Sequence, residues 1–339
     1  MAYRSGRPVL FTVAAINVVS GLAELLVLAP QIGGRDAELL RRCALPLADV
    51  GADCSPYPPL AEVVLRPLTW MSPIQAALAM TVVSLVFLVL GVWLETRGSA
   101  TIDRVLVGIA VLSFGPVVHE LILGQTTLLI AAALYPLVRR RDAFPAGIPL
   151  GIALALAPKP MLLPVLAWAL VWRPRGLLAG LATAAGLSSV GVALLGVGRY
   201  IDWASVATGL GHVSLTGDFA QGNFSLFSHG ITPPMLALGA VVGLVTLWVI
   251  SRDESRGFVA ALFAGLLVAP YSMLYAPSIL LLGLRPALAF APRATRLLAL
   301  VANPAILFMF GLTAWSLVGL AVCVPLPVRR MVGMPAGRQ

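Results

Sequence analysis

From Pro73 to Glu95 the chain reads PIQAALAMTVVSLVFLVLGVWLE, with no charged side chain before its last residue. A helix of this length reaches across the roughly 30 Å hydrocarbon core of a bilayer, so the stretch predicts a transmembrane crossing. Working outward, similar apolar runs are Val9 to Ala29, Val105 to Val118, Thr126 to Val138, Phe144 to Pro158, Met161 to Trp172, Gly176 to Val197, Pro233 to Ile250, Gly257 to Pro270 and Tyr271 to Ala289. The tail from Leu297 to Val328 reads as one long helix or as a hairpin broken near Asn303-Pro304, and Arg329/Arg330 beyond it favour the hairpin. The expectation is an all-α polytopic helix bundle of about 10–12 transmembrane segments, forming a single transmembrane domain over residues 1–339.

Composition excludes an ordinary soluble domain. Hydrophobic residues make up 59% of the chain and charged residues 11%, with a mean hydropathy of +0.96, against roughly a quarter charged residues in soluble domains. The net charge of +9 does not point to nucleic acid, because the arginines fall in small groups between apolar runs and not along one basic face. Placing Arg4/Arg7, Arg97/Arg104, Arg139/Arg140/Arg141, Arg173/Arg175, Arg252/Arg256, Arg285/Arg293/Arg296 and Arg329/Arg330 inside leaves the alternate loops outside, where Lys and Arg are sparse. The amino terminus is then cytoplasmic. The run Val9 to Ala29 lacks a small-residue cleavage site and reads as an anchor.

Two polar intervals then face outward, Pro30 to Ser72 and Arg199 to Pro233, the second carrying Tyr200 and Trp203 at its boundary. In the first, Asp36 to Asp49 has the spacing of a short amphipathic surface helix, with Leu39, Leu40, Cys43 and Leu47 on one side and Arg41/Arg42 on the other. Asp36 follows a Gly33-Gly34 turn and is either a helix cap or a functional acid at the mouth of the bundle. Tyr57-Pro58-Pro59 stiffens the return path. Asp49 and Asp53 fit no strong metal motif, so no metal is expected and no cofactor is called for. Cys43 and Cys54 share the oxidising face and form a candidate disulfide, whereas Cys323 lies in the apolar tail.

Lys159 is the only lysine and stands between two prolines, where Phe144 to Pro158 meets Met161 to Trp172, each run being short for a crossing. The prolines break the helical ladder, predicting a discontinuous hairpin that brings Lys159 to an internal cavity. Lys159 either snorkels to water or holds a phosphate. His119, Glu120, Gly124 and Gln125 cluster at the same outer level, as a hydrogen-bond network or as substrate contacts. The second outer interval offers Asp218, Asn223, Ser225 and His229 as plain loop or for hydroxyl recognition. Small residues at Gly176/Gly180 and Gly239/Gly243 favour close helix packing. With no detectable internal repeat, a lipid or solute transporter is the weaker alternative to an enzyme.

In this order, Asp36, Tyr57-Pro58-Pro59-Leu60, Gly124-Gln125, Lys159-Pro160, Asn223-Phe224-Ser225 and Ala269-Pro270-Tyr271-Ser272 resemble glycosyltransferase family 87, over roughly Gly33 to Leu282. These are membrane enzymes of the C-type superfamily that use polyprenyl-phosphate sugars, among them mycobacterial mannosyl- and arabinofuranosyltransferases. The chain departs from that pattern where it has Leu39/Leu40 in place of an aromatic, Thr126/Thr127 in place of an Asn, and Met273/Leu274/Tyr275 in place of Ser-Trp and His. The resemblance implies an inverting transfer of mannose or arabinofuranose from a polyprenyl-phosphate donor to a glycan or glycolipid of the cell envelope, on the outer face of the plasma membrane. It implies Asp36 as base, Lys159 and Arg35 at the donor phosphate, and Tyr57, Glu120, Gln125, Asn223, Ser225, His229, Tyr271 and Tyr275 around the substrates.

Overall fold

The computed structural model describes residues 7–43, 57–140, 142–216, 224–228, 231–270, 272–301 and 311–325, and every regular element among them is helical. The protein is an all-α polytopic helix bundle. Among the described residues four helices are long and apolar enough to cross a membrane: α1 (Arg7–Ile32), α4 (Pro73–Thr96), α10 (Pro174–Leu195) and α12 (Pro233–Arg252). Between α1 and α4 lie α2 (Arg35–Cys43) and α3 (Pro59–Leu65), the latter continued by a 3₁₀ turn over Arg66–Trp70. α4 starts where the sequence predicts, because Ser72 and Gln75 form a reciprocal capping box, with Ser72 N–H donating to Gln75 Oε1 (2.9 Å) and Gln75 N–H to Ser72 Oγ (3.3 Å).

The run expected as one crossing over Val105 to Val118 is two helices, α5 (Thr101–Leu112) and α6 (Gly115–Leu123), bent by 59°. Phe114 is extended between them, and Pro116 opens the second helix without an N–H to donate backwards. Shorter apolar helices follow: α7 (Thr127–Arg139), α8 (Ile148–Leu156) and α9 (Leu163–Trp172). The interval expected as the second loop opens with a helix, α11 (Val197–Thr216), whose Arg199 pairs with Glu62 of α3 at 2.6 Å. The expected helix over Asp36 to Asp49 is described as far as Cys43, as α2, and its remainder lies outside the described residues. In place of the crossing from Tyr271 to Ala289 there is a 3₁₀ run, Ala276–Gly283, leading into α14 (Leu284–Phe290). α15 (Pro292–Val301) and α16 (Leu312–Cys323) follow, with the Asn303-Pro304 break outside the described residues.

The bundle is organised around α13 (Glu254–Val268), which is buried from Gly257 to Leu267 on every side. A helix apolar all round belongs in such an interior, whereas α4 and α12 show Val82, Val86, Leu244 and Leu247 outward as lipid-facing helices do. Trp168 stacks on Phe258 at 4.8 Å and donates its indole N–H to the Glu254 carbonyl at 2.9 Å. Gly180 packs α10 against the start of α8, where a Cβ would meet the Gly147 carbonyl at 3.0 Å and Leu150 at 3.3 Å, and Gly176 packs it against Leu137 of α7. The second small pair divides: Gly239 faces the Phe227 ring, while Gly243 faces open space.

Four arginines, Arg7, Arg139, Arg173 and Arg285, gather at one end, whereas Arg35, Arg41 and Arg42 lie on α2 and Arg199 on α11. Arg139 pairs with Glu95 at 2.6 Å, Arg285 approaches the same carboxylate at 3.5 Å, and Arg7 pairs with Asp103 at 2.7 Å. Arg173 pairs with Glu254 and donates to the Leu137 carbonyl at 3.2 Å. α7 carries Thr127 at its start and Arg139 at its last residue, so the groups around Thr127 stand about 18 Å along the helix axis from this cluster.

Candidate functional site

At that opposite end, two glycines in the left-handed region bring α2 onto α6. Gly34 (φ +73°) turns the chain out of α1 and donates its N–H to the Ile122 carbonyl at 2.7 Å. Gly124 (φ +73°) ends α6, and a Cβ there would stand 2.7 Å from the Cβ of Ala37. Ala37 and Leu40 of α2 are wholly buried, so the helix docks by that face and carries Asp36 with it. Asp36 sits in the first turn of α2, after the turn glycine, and its carboxylate reaches across to α6 and α7 in place of capping its own helix.

The Gln125 side-chain amide donates to Asp36 Oδ2 at 2.6 Å. The other end of that amide, Oε1, accepts from Thr126 N–H at 3.1 Å and from Lys159 Nζ at 3.4 Å. Lys159 also donates to Thr127 Oγ1 at 2.8 Å and lies 4.9 Å from the centroid of the Tyr275 ring. Asp36 and Lys159, distant in sequence, therefore meet through one glutamine. Lys159 is extended (φ −111°, ψ 128°) ahead of Pro160, in the break between α8 and α9 that the two prolines predict. Burial holds the Asp36 carboxyl above the usual carboxylate range, opposed by the Gln125 hydrogen bond and by the charges of Lys159 and Arg35.

Two open spaces adjoin this line of groups. A cavity of about 10 Å³, room for about one water, is lined by Lys159, Pro160, Met161, Met273, Tyr275 and Ala276. A groove of about 480 Å³ runs from Gly33, Gly34, Arg35 and Glu38 along the exposed Ile74 and Leu78 of α4, with Ala77, Thr81 and Ile122 completing it. Arg35 is exposed at its polar end; Glu38 is tied to Arg41 at 2.6 Å and to Arg42 at 2.9 Å.

Not every residue singled out in the sequence joins the site. Glu120 is fully buried, with Oε1 accepting from Leu128 N–H at 2.5 Å and Oε2 from Ser278 Oγ at 2.8 Å, so its carboxylate is enclosed by protein and does not face either open space. Its charge acts on Lys159. Ser225 is buried and accepts from Phe227 N–H at 3.2 Å, in a segment held by Phe224 N–H to the Ser272 carbonyl at 3.0 Å. Tyr57 is buried where the chain enters α3. Asn223, His229, Tyr271, Cys54 and the side chain of Cys43 lie outside the described residues, as do Asp49 and Asp53, and the expected disulfide lies there with them.

Thr127 and Ser278 were missed in the sequence. Both are wholly buried, Thr127 Oγ1 accepting from Lys159 and Ser278 Oγ donating to Glu120 Oε2. Their only signal is a hydroxyl in an otherwise apolar run, close to a helix start.

No curated protein and no solved structure matches the chain. The model of one family, glycosyltransferase family 87, matches residues 56–277. That stretch takes in Gln125, Lys159 and Tyr275 and begins after Asp36, so it is narrower than the resemblance over Gly33 to Leu282. Because it covers more than half of a helical membrane bundle whose partly buried lysine and buried glutamine both fall inside it, the chain belongs to glycosyltransferase family 87 and is a membrane glycosyltransferase.

Proposed function

We propose that the protein transfers mannose or arabinofuranose from a polyprenyl-phosphate donor, with inversion, to a glycan or glycolipid of the cell envelope at the outer face of the plasma membrane. The observation that carries this reading is the meeting of Asp36 and Lys159 through Gln125 at the bundle end opposite the arginine cluster. Positive clusters mark the cytoplasmic side, so the acid and the lysine face outward.

In this mechanism the acceptor hydroxyl oxygen attacks the anomeric carbon and its proton passes to the Asp36 carboxylate. The bond from that carbon to the phosphate oxygen breaks as the new carbon–oxygen bond forms, and polyprenyl phosphate leaves with the electron pair. Negative charge grows on the departing phosphate, and the Lys159 ammonium, fixed by Thr127 and Tyr275, is placed to receive it. Arg35 adds a second cation at the head of the groove, whose wall of Ile74, Leu78 and Ile122 suits an isoprenoid chain entering from the bilayer. Glu120 takes no part in contact with substrate; it balances the partly buried lysine.

Reconstituting the purified protein in liposomes with mannosyl or arabinofuranosyl polyprenyl phosphate, in separate reactions with an envelope glycolipid, tests the reading. Transfer from one of the two with inverted anomeric configuration is expected. Product from neither donor, with transfer from a nucleotide sugar instead, would overturn it.

A further inference from the structure

Among the described residues Gln125 is the one side chain that touches both candidate catalytic groups, and its two ends are not interchangeable. Thr126 N–H can only donate, so it fixes Oε1 of Gln125 on its own side and turns Nε2 toward Asp36. The 2.6 Å contact from Nε2 goes to Oδ2, and among the described residues Oδ1 of Asp36 accepts no hydrogen bond. The backbone is fixed as well, since Gly124 before it is held left-handed and its Cα is pressed against Ala37, the residue after Asp36.

We infer that Gln125 is a positioning residue: its amide holds Oδ2 of Asp36 so that Oδ1 is the oxygen presented to the reacting hydroxyl, and it does not bind sugar itself. This rests on Asp36 being the base, as proposed above. An amide suits the task, because its carbonyl accepts from Lys159 while its NH₂ donates to the acid, so the lysine and the carboxylate are joined without collapsing into a direct ion pair. Such a pair would neutralise both the base and the phosphate ligand. Among the charges that face Asp36, Lys159 comes from the α8–α9 break and Arg35 from its own helix. Of the elements packed on α2, α4 carries no charged side chain before Glu95 at its far end, the 3₁₀ turn brings Arg66, α3 brings Glu62, already paired with Arg199, and α6 brings His119 together with Glu120, the latter enclosed by Leu128 and Ser278. The hydrogen bond from Gln125 is therefore the neutral contribution that favours the ionised form of Asp36 against burial.

The test uses the full chain in liposomes, with Gln125→Ala, the near-isosteric Gln125→Glu, and Asp36→Asn in parallel. Gln125→Ala is expected to lower kcat by about 10- to 100-fold, within the range of acid–base contributions, with donor KM changed by no more than about twofold. The acid limb of its kcat/KM profile moves to higher pH, because the ionised carboxylate has lost a donor. Gln125→Glu moves that limb further up, since two adjacent carboxyls share a proton. A residue that served only to hold the fold would lower activity without moving the limb. A raised KM with the acid limb unmoved in both variants would overturn the inference and make Gln125 a substrate contact. Asp36→Asn separates the two levels: if it retains turnover the proposed mechanism fails, and if it is inactive while the limb is unmoved in the Gln125 variants, the positioning inference alone fails.

Discussion

The Lys159 ammonium lies 4.9 Å from the centroid of the Tyr275 ring, and the two residues line the same cavity at the break between α8 and α9. A lysine held over an aromatic face is oriented without being neutralised, which leaves its charge available to a phosphate.

Tyr275→Phe keeps the ring and is expected to preserve donor affinity. Tyr275→Ala removes about 0.5–2 kcal/mol of cation–π support and raises donor KM several-fold. Lys159→Ala raises it further, while acceptor KM changes little. Initial rates at varied donor and acceptor concentrations check both variants, and equal effects on the two substrates would count against a phosphate role for Lys159.

Burial holds Asp36 above the usual carboxylate range while Lys159 pulls it down. A base must be ionised, so kcat/KM is expected to rise with pH along an acid limb that lies above the ordinary aspartate value. Lys159→Ala removes a positive charge, raises the carboxyl further, and moves the limb to higher pH. A limb displaced to lower pH in this variant would contradict the assignment.

Glu120 is enclosed, with one oxygen on Leu128 N–H and the other on Ser278 Oγ. Glu120→Ala leaves those two donors unpaired and removes one of the two negative charges acting on Lys159, the other being Asp36, at a cost of about 1–3 kcal/mol for each buried group left unsatisfied. Thermal unfolding in detergent is expected to show a Tm many degrees lower. Ser278→Ala removes one hydrogen bond to a charged group, about 1.5–3 kcal/mol, and lowers Tm by less.

Gly124→Ala places a Cβ 2.7 Å from that of Ala37 and forces a side chain into the left-handed region, which costs about 1–2 kcal/mol by itself. Activity is expected to fall more than stability, because the clash separates α2 from Gln125. Adding Ala37→Gly relieves the clash though not the backbone strain, so partial recovery of kcat in the double variant is the expected result.

The bundle was legible where local chemistry decides it. Ser72-Pro73 and Gln75 announce the start of α4, the prolines around Lys159 announce the break, and the arginine groups announce one end. The bend between α5 and α6 was missed, because the apolar run continues through Ser113 and Phe114 although Pro116 marks the new helix. The helix over Val197–Thr216 was taken for loop because its polar and glycine residues lower its hydropathy. Asp36 and Lys159 stood out by type, but their meeting depends on the Gly124–Ala37 approach and on Gln125, contacts between distant parts of the chain that carry no periodic signal. Glu120 was visible as an acid near the site; that its carboxylate is enclosed depends on Ser278, far along the sequence.

The central claim is that the Asp36 carboxylate takes the acceptor proton. Single-turnover transfer by liposome-reconstituted Asp36→Asn, with the preferred polyprenyl-phosphate sugar bound beforehand, measures that step apart from donor binding. A rate lowered by about 10³-fold or more with donor affinity retained is the predicted result; transfer within a few-fold of the unaltered protein would contradict it.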